Sequence, residues 1–147
     1  RFAAVAARLA ADGWRIALTG AASERALALE FAAHMSAPFV DLCGKTTLGS
    51  LAALIAHSRL LLCNDTGVSH VAAALRTPSL VVACGSDVQR WAPLDRTLHR
   101  VLAEHPACRP CMHPVCPIGH PCALAIDAAR VAQAASQLLS TEAIHAA

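Results

Sequence analysis

The chain alternates short apolar runs with longer stretches in which apolar residues recur every three or four positions. Short continuous runs are typical of buried strands, and the longer spacing is typical of helices with one buried face. This pattern predicts strands over residues 15–19, 39–42, 59–63 and 79–83, and a fifth near 99–102. It predicts helices over residues 2–11, 23–35, 48–58, 67–75 and 126–139.

Residues at the ends of these elements support the pattern. Ser23 is expected to cap the second helix, and Thr46 or Thr47 the third, because a hydroxyl accepts hydrogen bonds from the free N–H groups of a first turn. Fully apolar strands that alternate with helices indicate a parallel sheet covered on both faces. The prediction is a single α/β domain over residues 1–147, with a Rossmann-like, doubly wound parallel sheet.

Composition narrows the class of protein. Hydrophobic residues make up 56% of the 147 positions and charged residues 15%, which is enough for one buried core. No apolar run reaches the ~18–20 residues needed to cross a bilayer. A net charge of +2 with scattered basic residues and no tyrosine argues against a nucleic-acid partner. The chain starts at Arg1 without an initiator Met or a signal peptide, so we expect it to be a fragment of a longer protein.

The turn after the third strand carries the strongest candidate chemistry. Open α/β sheets bind ligands at the carboxyl ends of their strands, and here that end reads Asp65-Thr66-Gly67, with His70 in the following first helical turn. Gly67 permits close approach of the backbone, and the helix N-terminus favours an anion such as phosphate. The alternative from spacing alone is that Asp65 or Thr66 is only a helix cap and His70 a surface residue.

Three other turns offer weaker candidates. The first turn contains Gly20 and Glu24, whose carboxylate either contacts a ribose or complements a helix dipole. The second turn offers Lys45 and Thr46 to a nucleotide, although helix capping accounts equally for the threonine hydroxyls. Asp87, in the loop after the fourth strand, is a candidate for a sugar or phosphate contact. Neither a P-loop nor a G-x-G-x-x-G motif is present.

A cysteine-rich loop occupies residues 108–122. In a reducing cytoplasm, which the odd total of seven cysteines favours, closely spaced thiolates suit a structural zinc ion. Two disulfides or free thiols are the alternative. The candidate ligands are Cys108, Cys111, Cys116 and Cys122. The remaining Cys43, Cys63 and Cys84 follow strands and are expected to be small core residues.

Three segments resemble glycosyltransferase family 9, which contains the ADP-heptose:lipopolysaccharide heptosyltransferases. They are residues 42–48, 64–75 and 90–93, and the most specific is Asp-Thr-Gly-x-x-His-x-Ala-Ala-Ala-Leu, starting at Asp65. The resemblance implies a GT-B fold in which this chain is the C-terminal half that binds the donor, ADP-heptose. It further implies that the 65–67 backbone and His70 hold the diphosphate and sugar, that Thr46 contacts the adenine, and that residues 20–24 lie near the ribose.

The same resemblance also indicates the overall reaction and the parts of it that depend on residues outside this chain. It implies transfer of heptose to the lipopolysaccharide inner core with inversion, without a metal ion or other catalytic cofactor. The catalytic base and the acceptor site are expected in an N-terminal domain, so no catalytic residue is expected here. A cytoplasmic location is implied, with peripheral contact of the full-length protein with the inner face of the bacterial inner membrane left open.

Because of two departures from the family pattern, the identity of the donor nucleotide-sugar is not decided by the sequence. Ser50 stands where relatives often carry an acidic residue, and the loop after Gly85 is one residue shorter than the commoner form. A GT-B transferase that uses another nucleotide-sugar, such as a UDP-sugar, is therefore one alternative. A nucleotide-binding module without catalysis is the other.

Overall fold

The computed structural model describes residues 1–145, apart from Met112 and Pro114. The strands are β1 (Ile16–Leu18), β2 (Phe39–Asp41), β3 (Leu61–Asn64), β4 (Ser79–Ala83) and β5 (His99–Ala103). The helices are α1 (Phe2–Ala11), α2 (Arg25–His34), α3 (Leu48–Ala56), α4 (Gly67–Ala74), α5 (Val88–Trp91), α6 (Pro121–Leu124) and α7 (Ala128–His145). Across these described residues, no helix combines the length and apolar character that a membrane span requires.

The strands pair in parallel throughout, as their apolar character predicts. β1 pairs with β2, placing Ile16 opposite Phe39. β4 lies between β3 and β5, so Val81 has Cys63 on one side and Val101 on the other. The hydrogen bonds thus form one two-stranded and one three-stranded parallel sheet. The predicted α/β class with parallel strands is confirmed.

The core is built around β4. Leu80 is fully buried and Val81 is 1% exposed. The apolar faces of α1 and α7 pack against each other and against this strand, and contribute Val5 and Leu138 among others. A central strand covered on both faces has no solvent side, which explains why its sequence lacks the alternation of a half-exposed strand.

Most boundaries depart from the prediction by one or two residues, and α7 ends at His145 rather than at residue 139. Ser23 does not cap a helix: residues Ala22–Glu24 form one 3-10 turn, and α2 begins at Arg25. Glu24 orders this turn, because its carboxylate accepts a 2.7 Å hydrogen bond from the backbone N–H of Ala21. The short helices α5 and α6 were not predicted, since a single turn carries no periodicity. The last helix begins at Ala128 rather than at residue 126.

Candidate functional site

The start of α4 lacks the side-chain cap that many helices have. Thr66 occupies the N-cap position in extended backbone but makes no capping hydrogen bond. Its hydroxyl donates instead to the carbonyl of Asn64, at 3.4 Å. The Thr66 carbonyl accepts from the backbone and hydroxyl of Ser69, at 3.0 and 2.8 Å. The first N–H groups of the helix are therefore not satisfied by the Thr66 side chain.

Asp65 does not cap the helix either. Its carboxylate accepts a hydrogen bond from the Ser86 hydroxyl, in the turn that follows β4. This bond joins the ends of two neighbouring strands and fixes the half-buried carboxylate beside the start of α4. The alternative in which Asp65 or the Thr66 side chain serves as the cap is therefore wrong, and both stay available for a ligand role.

The described residues show no structural reason for a glycine at position 67. A Cβ built on it would meet no described atom within 4 Å, and its backbone does not adopt the left-handed conformation that favours glycine. A glycine can be needed for close packing, for a positive φ or for approach of a ligand. Neither of the first two applies to the described part of the chain.

His70 lies on the exposed side of the first turn of α4, beside the short helix α5. The centre of its ring is 6.4 Å from that of Trp91, in an edge-on arrangement at 61°. The guanidinium carbon of Arg90 lies 5.0 Å from the centre of the Trp91 ring, within the range of a cation–π contact. The loop after β4 thus reaches the turn after β3, so residues 65–70 and 86–91, apart from the buried Ser69, form one surface. We call this surface the α4 site.

The turns after β1 and β2 are bound to each other. The backbone N–H of Gly44 donates to the carbonyl of Gly20 at 2.8 Å, and the Cys43 thiol donates to the carbonyl of Ala21 at 3.3 Å. Gly44 has a φ of +72°, and a Cβ there would lie 3.1 Å from the Cα of Ala22. A glycine is therefore required at position 44 for the turns to meet.

The polar side chains predicted on these two turns mostly bond to their own backbone. Glu24 holds its turn, as described above, and the ammonium group of Lys45 donates to the carbonyl of Asp41 at 2.9 Å. Arg25 forms a 2.5 Å ion pair with Asp41 and thereby holds the pKa of that carboxyl below its usual range. Thr46 is half-buried. The nucleotide contacts of Gly20, Glu24, Lys45 and Thr46 stay predictions.

Thr47 rather than Thr46 caps α3. Its hydroxyl accepts from the backbone N–H of Ser50 at 3.2 Å, and the Ser50 hydroxyl accepts from the backbone N–H of Thr47 at 2.9 Å. This reciprocal pair is a capping box in which serine takes the place of the usual Glu or Gln. The capping alternative for the threonines is thus confirmed at position 47.

Asp87 caps α5, the short helix of the α4 site. One carboxylate oxygen accepts from the backbone N–H of Gln89 at 3.0 Å, and the side chain is exposed. Helix capping is therefore a sufficient reason for an aspartate at position 87, without any contact to a ligand. Its predicted contact with sugar or phosphate stays a prediction.

The four cysteines of residues 108–122 do not gather around one point. Cys108 is exposed, Cys122 is buried at the start of α6, and the Cys111 sulfur lies 3.0 Å from where a Cβ on Gly85 would be. Cys116 accepts a 3.1 Å hydrogen bond from the backbone N–H of His120. Bonds from the Ile118, His120 and Gly119 backbone lower the pKa of this thiol.

The described residues contain no set of three or more His, Cys, Asp or Glu side chains arranged to hold a metal ion. The loop as it stands therefore does not fit a four-thiolate zinc site, which needs all four sulfurs within about 2.3 Å of the ion. Residues 112 and 114 of this loop lie outside the described residues. The zinc site stays a prediction that this structure does not support.

The cysteines at strand ends are core residues in two of three cases. Cys43 and Cys63 are buried, as predicted, whereas Cys84 is only partly buried. Burial, with a smaller contribution from the Asp65 charge, raises the pKa of Cys63 to about 12. A thiol with this pKa is protonated at neutral pH and is a poor nucleophile.

Two residues that hold the α4 site in place, Ser86 within it and Arg109 outside it, were not predicted from the sequence. Ser86 was missed as the partner of Asp65. Arg109, inside the cysteine-rich loop, donates to the carbonyls of Ser86, Ala83 and Glu104 at 3.0, 2.9 and 2.7 Å. These contacts span 23, 26 and 5 positions. No local pattern carries a signal for the long-range contacts.

Comparison with known proteins decides which family this arrangement belongs to. A model of glycosyltransferase family 9 (heptosyltransferase) matches residues 1–121. The chain belongs to glycosyltransferase family 9. Over 101 residues it is 35% identical to lipopolysaccharide heptosyltransferase 3 of Escherichia coli, a match that covers 67% of this chain and 30% of that protein.

Two solved structures share the fold of this glycosyltransferase family 9 chain. The E. coli ADP-heptose LPS heptosyltransferase II aligns with a TM-score of 0.82 at 26% identity, over 96% of this chain and 41% of that one. A family 9 glycosyl transferase from Veillonella parvula aligns with a TM-score of 0.81 at 22% identity, over 95% and 40%. The predicted Rossmann-like fold is confirmed. The chain spans 25 to 30% of the length of the curated relatives it matches and about two fifths of the solved ones.

Proposed function

We propose that this chain is the donor-binding part of a lipopolysaccharide heptosyltransferase, and that the donor diphosphate binds at the start of α4. The observation that carries the proposal is the uncapped first turn of that helix, with open space in front of Gly67. Backbone N–H groups and the positive end of the helix dipole favour an anion there. The segment that forms this turn is also the one most specific to the family.

The side chains around that turn have complementary roles in the proposal. The imidazole of His70, exposed in the first turn of α4, donates a hydrogen bond to the diphosphate. Asp65 would repel a phosphate, so its carboxylate, held by Ser86, instead accepts from a sugar hydroxyl. The turns joined by Gly20 and Gly44 receive the ribose and adenine.

These contacts define the chemistry that the chain contributes. Glycosyl transfer breaks the bond between the sugar and the diphosphate, and negative charge grows on the departing diphosphate. Fixed N–H groups aimed at that charge stabilise the transition state more than the ground state. A base must also take the proton of the acceptor hydroxyl. We propose that the base and the lipopolysaccharide site lie in a further domain, so this chain alone binds the donor without transferring the sugar.

ADP-heptose is the proposed donor, since a solved relative carries that name and aligns over almost the whole chain. Calorimetric titration of the chain with ADP, UDP and GDP tests the choice of nucleotide, and ADP should bind most tightly. Preference for UDP would overturn the assignment of the donor. Absence of binding by all three would remove the donor site itself.

Two variants test the location of the site. His70→Ala should weaken ADP binding about 10-fold, the effect of one hydrogen bond to a charged group. His34→Ala is the matched control, because His34 is also an exposed helical histidine, and its ring is bonded to the carbonyl of Glu30. Asp65→Ala should weaken ADP-heptose more than ADP, since its partner is the sugar. Equal effects on the two ligands would contradict the role given to Asp65.

A further inference from the structure

The cysteine-rich loop reaches the α4 site through the side chain of Arg109. Arg109 projects from this loop to the carboxyl end of β4, where Nη1 donates to the carbonyls of Ala83 and Glu104. Its Nε donates to the carbonyl of Ser86 at 3.0 Å. The three acceptors belong to β4, to the turn after it and to the segment after β5. One guanidinium thus fixes the relative position of three backbone segments.

The Ser86 turn is held from a second direction by the same loop. The backbone N–H of Cys111 donates to the carbonyl of Gly85 at 2.8 Å. The Cys111 sulfur packs so closely over Gly85 that an added Cβ would lie 3.0 Å from it. Two successive residues of the turn, 85 and 86, are therefore bonded to residues 111 and 109.

Arg109 acts on backbone and not on an opposite charge. The carboxylate of Glu104, the acidic residue nearest among its partners, pairs with Arg130 instead. Among the described residues the Arg109 Nη2 is buried and has no hydrogen-bond partner. An ammonium group lacks the planar fork that reaches several carbonyls at once, so lysine cannot reproduce this arrangement.

We propose that Arg109 is a positioning residue for the donor site, acting through Ser86 on the Asp65 carboxylate. The path is short: the Ser86 carbonyl accepts from Arg109, and the Ser86 hydroxyl donates to Asp65. Loss of the guanidinium frees the turn and lets the hydroxyl leave the carboxylate. Asp65 then no longer points at the sugar. This inference rests on the proposed function, which places the sugar of the donor beside Asp65.

A double-mutant cycle on ADP-heptose binding tests the path. Arg109→Ala and Asp65→Ala should each raise the dissociation constant about 5- to 20-fold. If Arg109 acts through Asp65, the double variant should bind about as weakly as Asp65→Ala alone. Arg109→Lys should behave like Arg109→Ala, because it keeps the charge but not the fork. Binding of ADP itself should change much less, since ADP carries no sugar for Asp65 to contact.

The matched control is Arg100→Ala. Arg100 lies near the start of β5, at the end opposite to the turns, and bonds to the Gln137 side chain at 2.6 Å. This substitution should leave ADP-heptose binding unchanged. Thermal unfolding of every variant checks that it folds, and if Arg109→Ala does not fold, Arg109→Lys replaces it in the cycle.

The outcomes separate this inference from the proposed function. Wild-type binding of ADP-heptose with additive losses in the double variant would overturn the path and leave the donor site standing. Arg109→Lys binding like wild type would do the same. Failure of the wild type to bind ADP or ADP-heptose would overturn both.

Discussion

The substitution Gly67→Ala distinguishes a ligand role of this glycine from a structural one. A structural role predicts a loss of stability, whereas a ligand role predicts a gain of stability together with a loss of ADP affinity. Nothing among the described atoms lies within 4 Å of the added Cβ, and the backbone of Gly67 is not left-handed. Alanine also restricts the unfolded chain more than glycine does and favours helix. The folded protein should therefore gain stability, by up to about 1 kcal/mol.

The affinity for ADP should change in the opposite direction and fall. An N–H group that bonds a phosphate holds the oxygen about 2.7–3.2 Å away. The methyl group of alanine would stand beside that contact and push the phosphate outward. Loss of one hydrogen bond to a charged group is worth about 1.5–3 kcal/mol. The dissociation constant for ADP should then rise about 10- to 100-fold, since 1.4 kcal/mol corresponds to a factor of ten.

Gly49→Ala is the matched control for this experiment. Gly49 is exposed in the first turn of α3, where an added Cβ would only touch the Thr47 hydroxyl, at 4.0 Å. It should raise the melting temperature without changing ADP binding. Thermal unfolding of both variants measures the change in stability, and calorimetric titration measures the change in ADP affinity. Unchanged ADP affinity in Gly67→Ala would refute the placement of the diphosphate, and a clear loss of stability would show an undetected structural role.

Three further predictions concern the fold and the cysteines. Leu80→Ala, in the centre of the core, should lower the free energy of unfolding in urea by about 2–5 kcal/mol, and a loss below about 1 kcal/mol would contradict the central place of β4. Burial lowers the pKa of His99 below 6.5, so the unfolded chain binds that proton more tightly, and stability should fall as the pH drops below about 6.5. Replacing His99, which is bonded to Ser79, with Gln should flatten that dependence below about pH 6.5. Elemental analysis of freshly purified protein should find far less than one equivalent of zinc, because the four sulfurs do not surround one point, and a value near one equivalent would contradict that arrangement.

The secondary structure could be predicted from the sequence wherever the signal was local. α1 was predicted with its observed bounds, since eight of its ten residues are Ala, Leu or Arg, and the helix is followed by a glycine in the left-handed conformation, Gly13 with a φ of +91°. β4 was also predicted with its observed bounds, because the apolar run of residues 80–83 follows Ser79 without interruption and four of the five strand residues are buried. The start of α2 was not, because the turn of residues 22–24 is ordered by Glu24 and not by the serine that matches the usual cap.

The sequence identified the turn that forms the proposed α4 site, but not the contacts that hold this turn in place. A strand that ends in Asp-Thr-Gly before a helix identifies the turn, because the fold places ligands there. Which side chain caps the helix depends on partners distant in sequence. Asp65 looks like a cap in sequence, yet its bond is to Ser86, 21 positions away. The cysteine spacing suggested a metal, whereas Cys111 packs on Gly85 and Cys122 is buried.

The turn after β4 therefore connects the segment that starts at Asp65, which carries a recognisable motif, to the part of the cysteine-rich loop around Arg109, which carries none. Asp65 is bonded to Ser86 across 21 positions, and Ser86 to Arg109 across 23. Such contacts form only when the sheet and the loop are both folded, so their energies are coupled and not independent. If the donor binds at the α4 site as proposed, a substitution in residues 108–111 should change donor affinity without contacting the donor. The cysteine-rich loop would then contribute to the proposed site through the backbone that it holds.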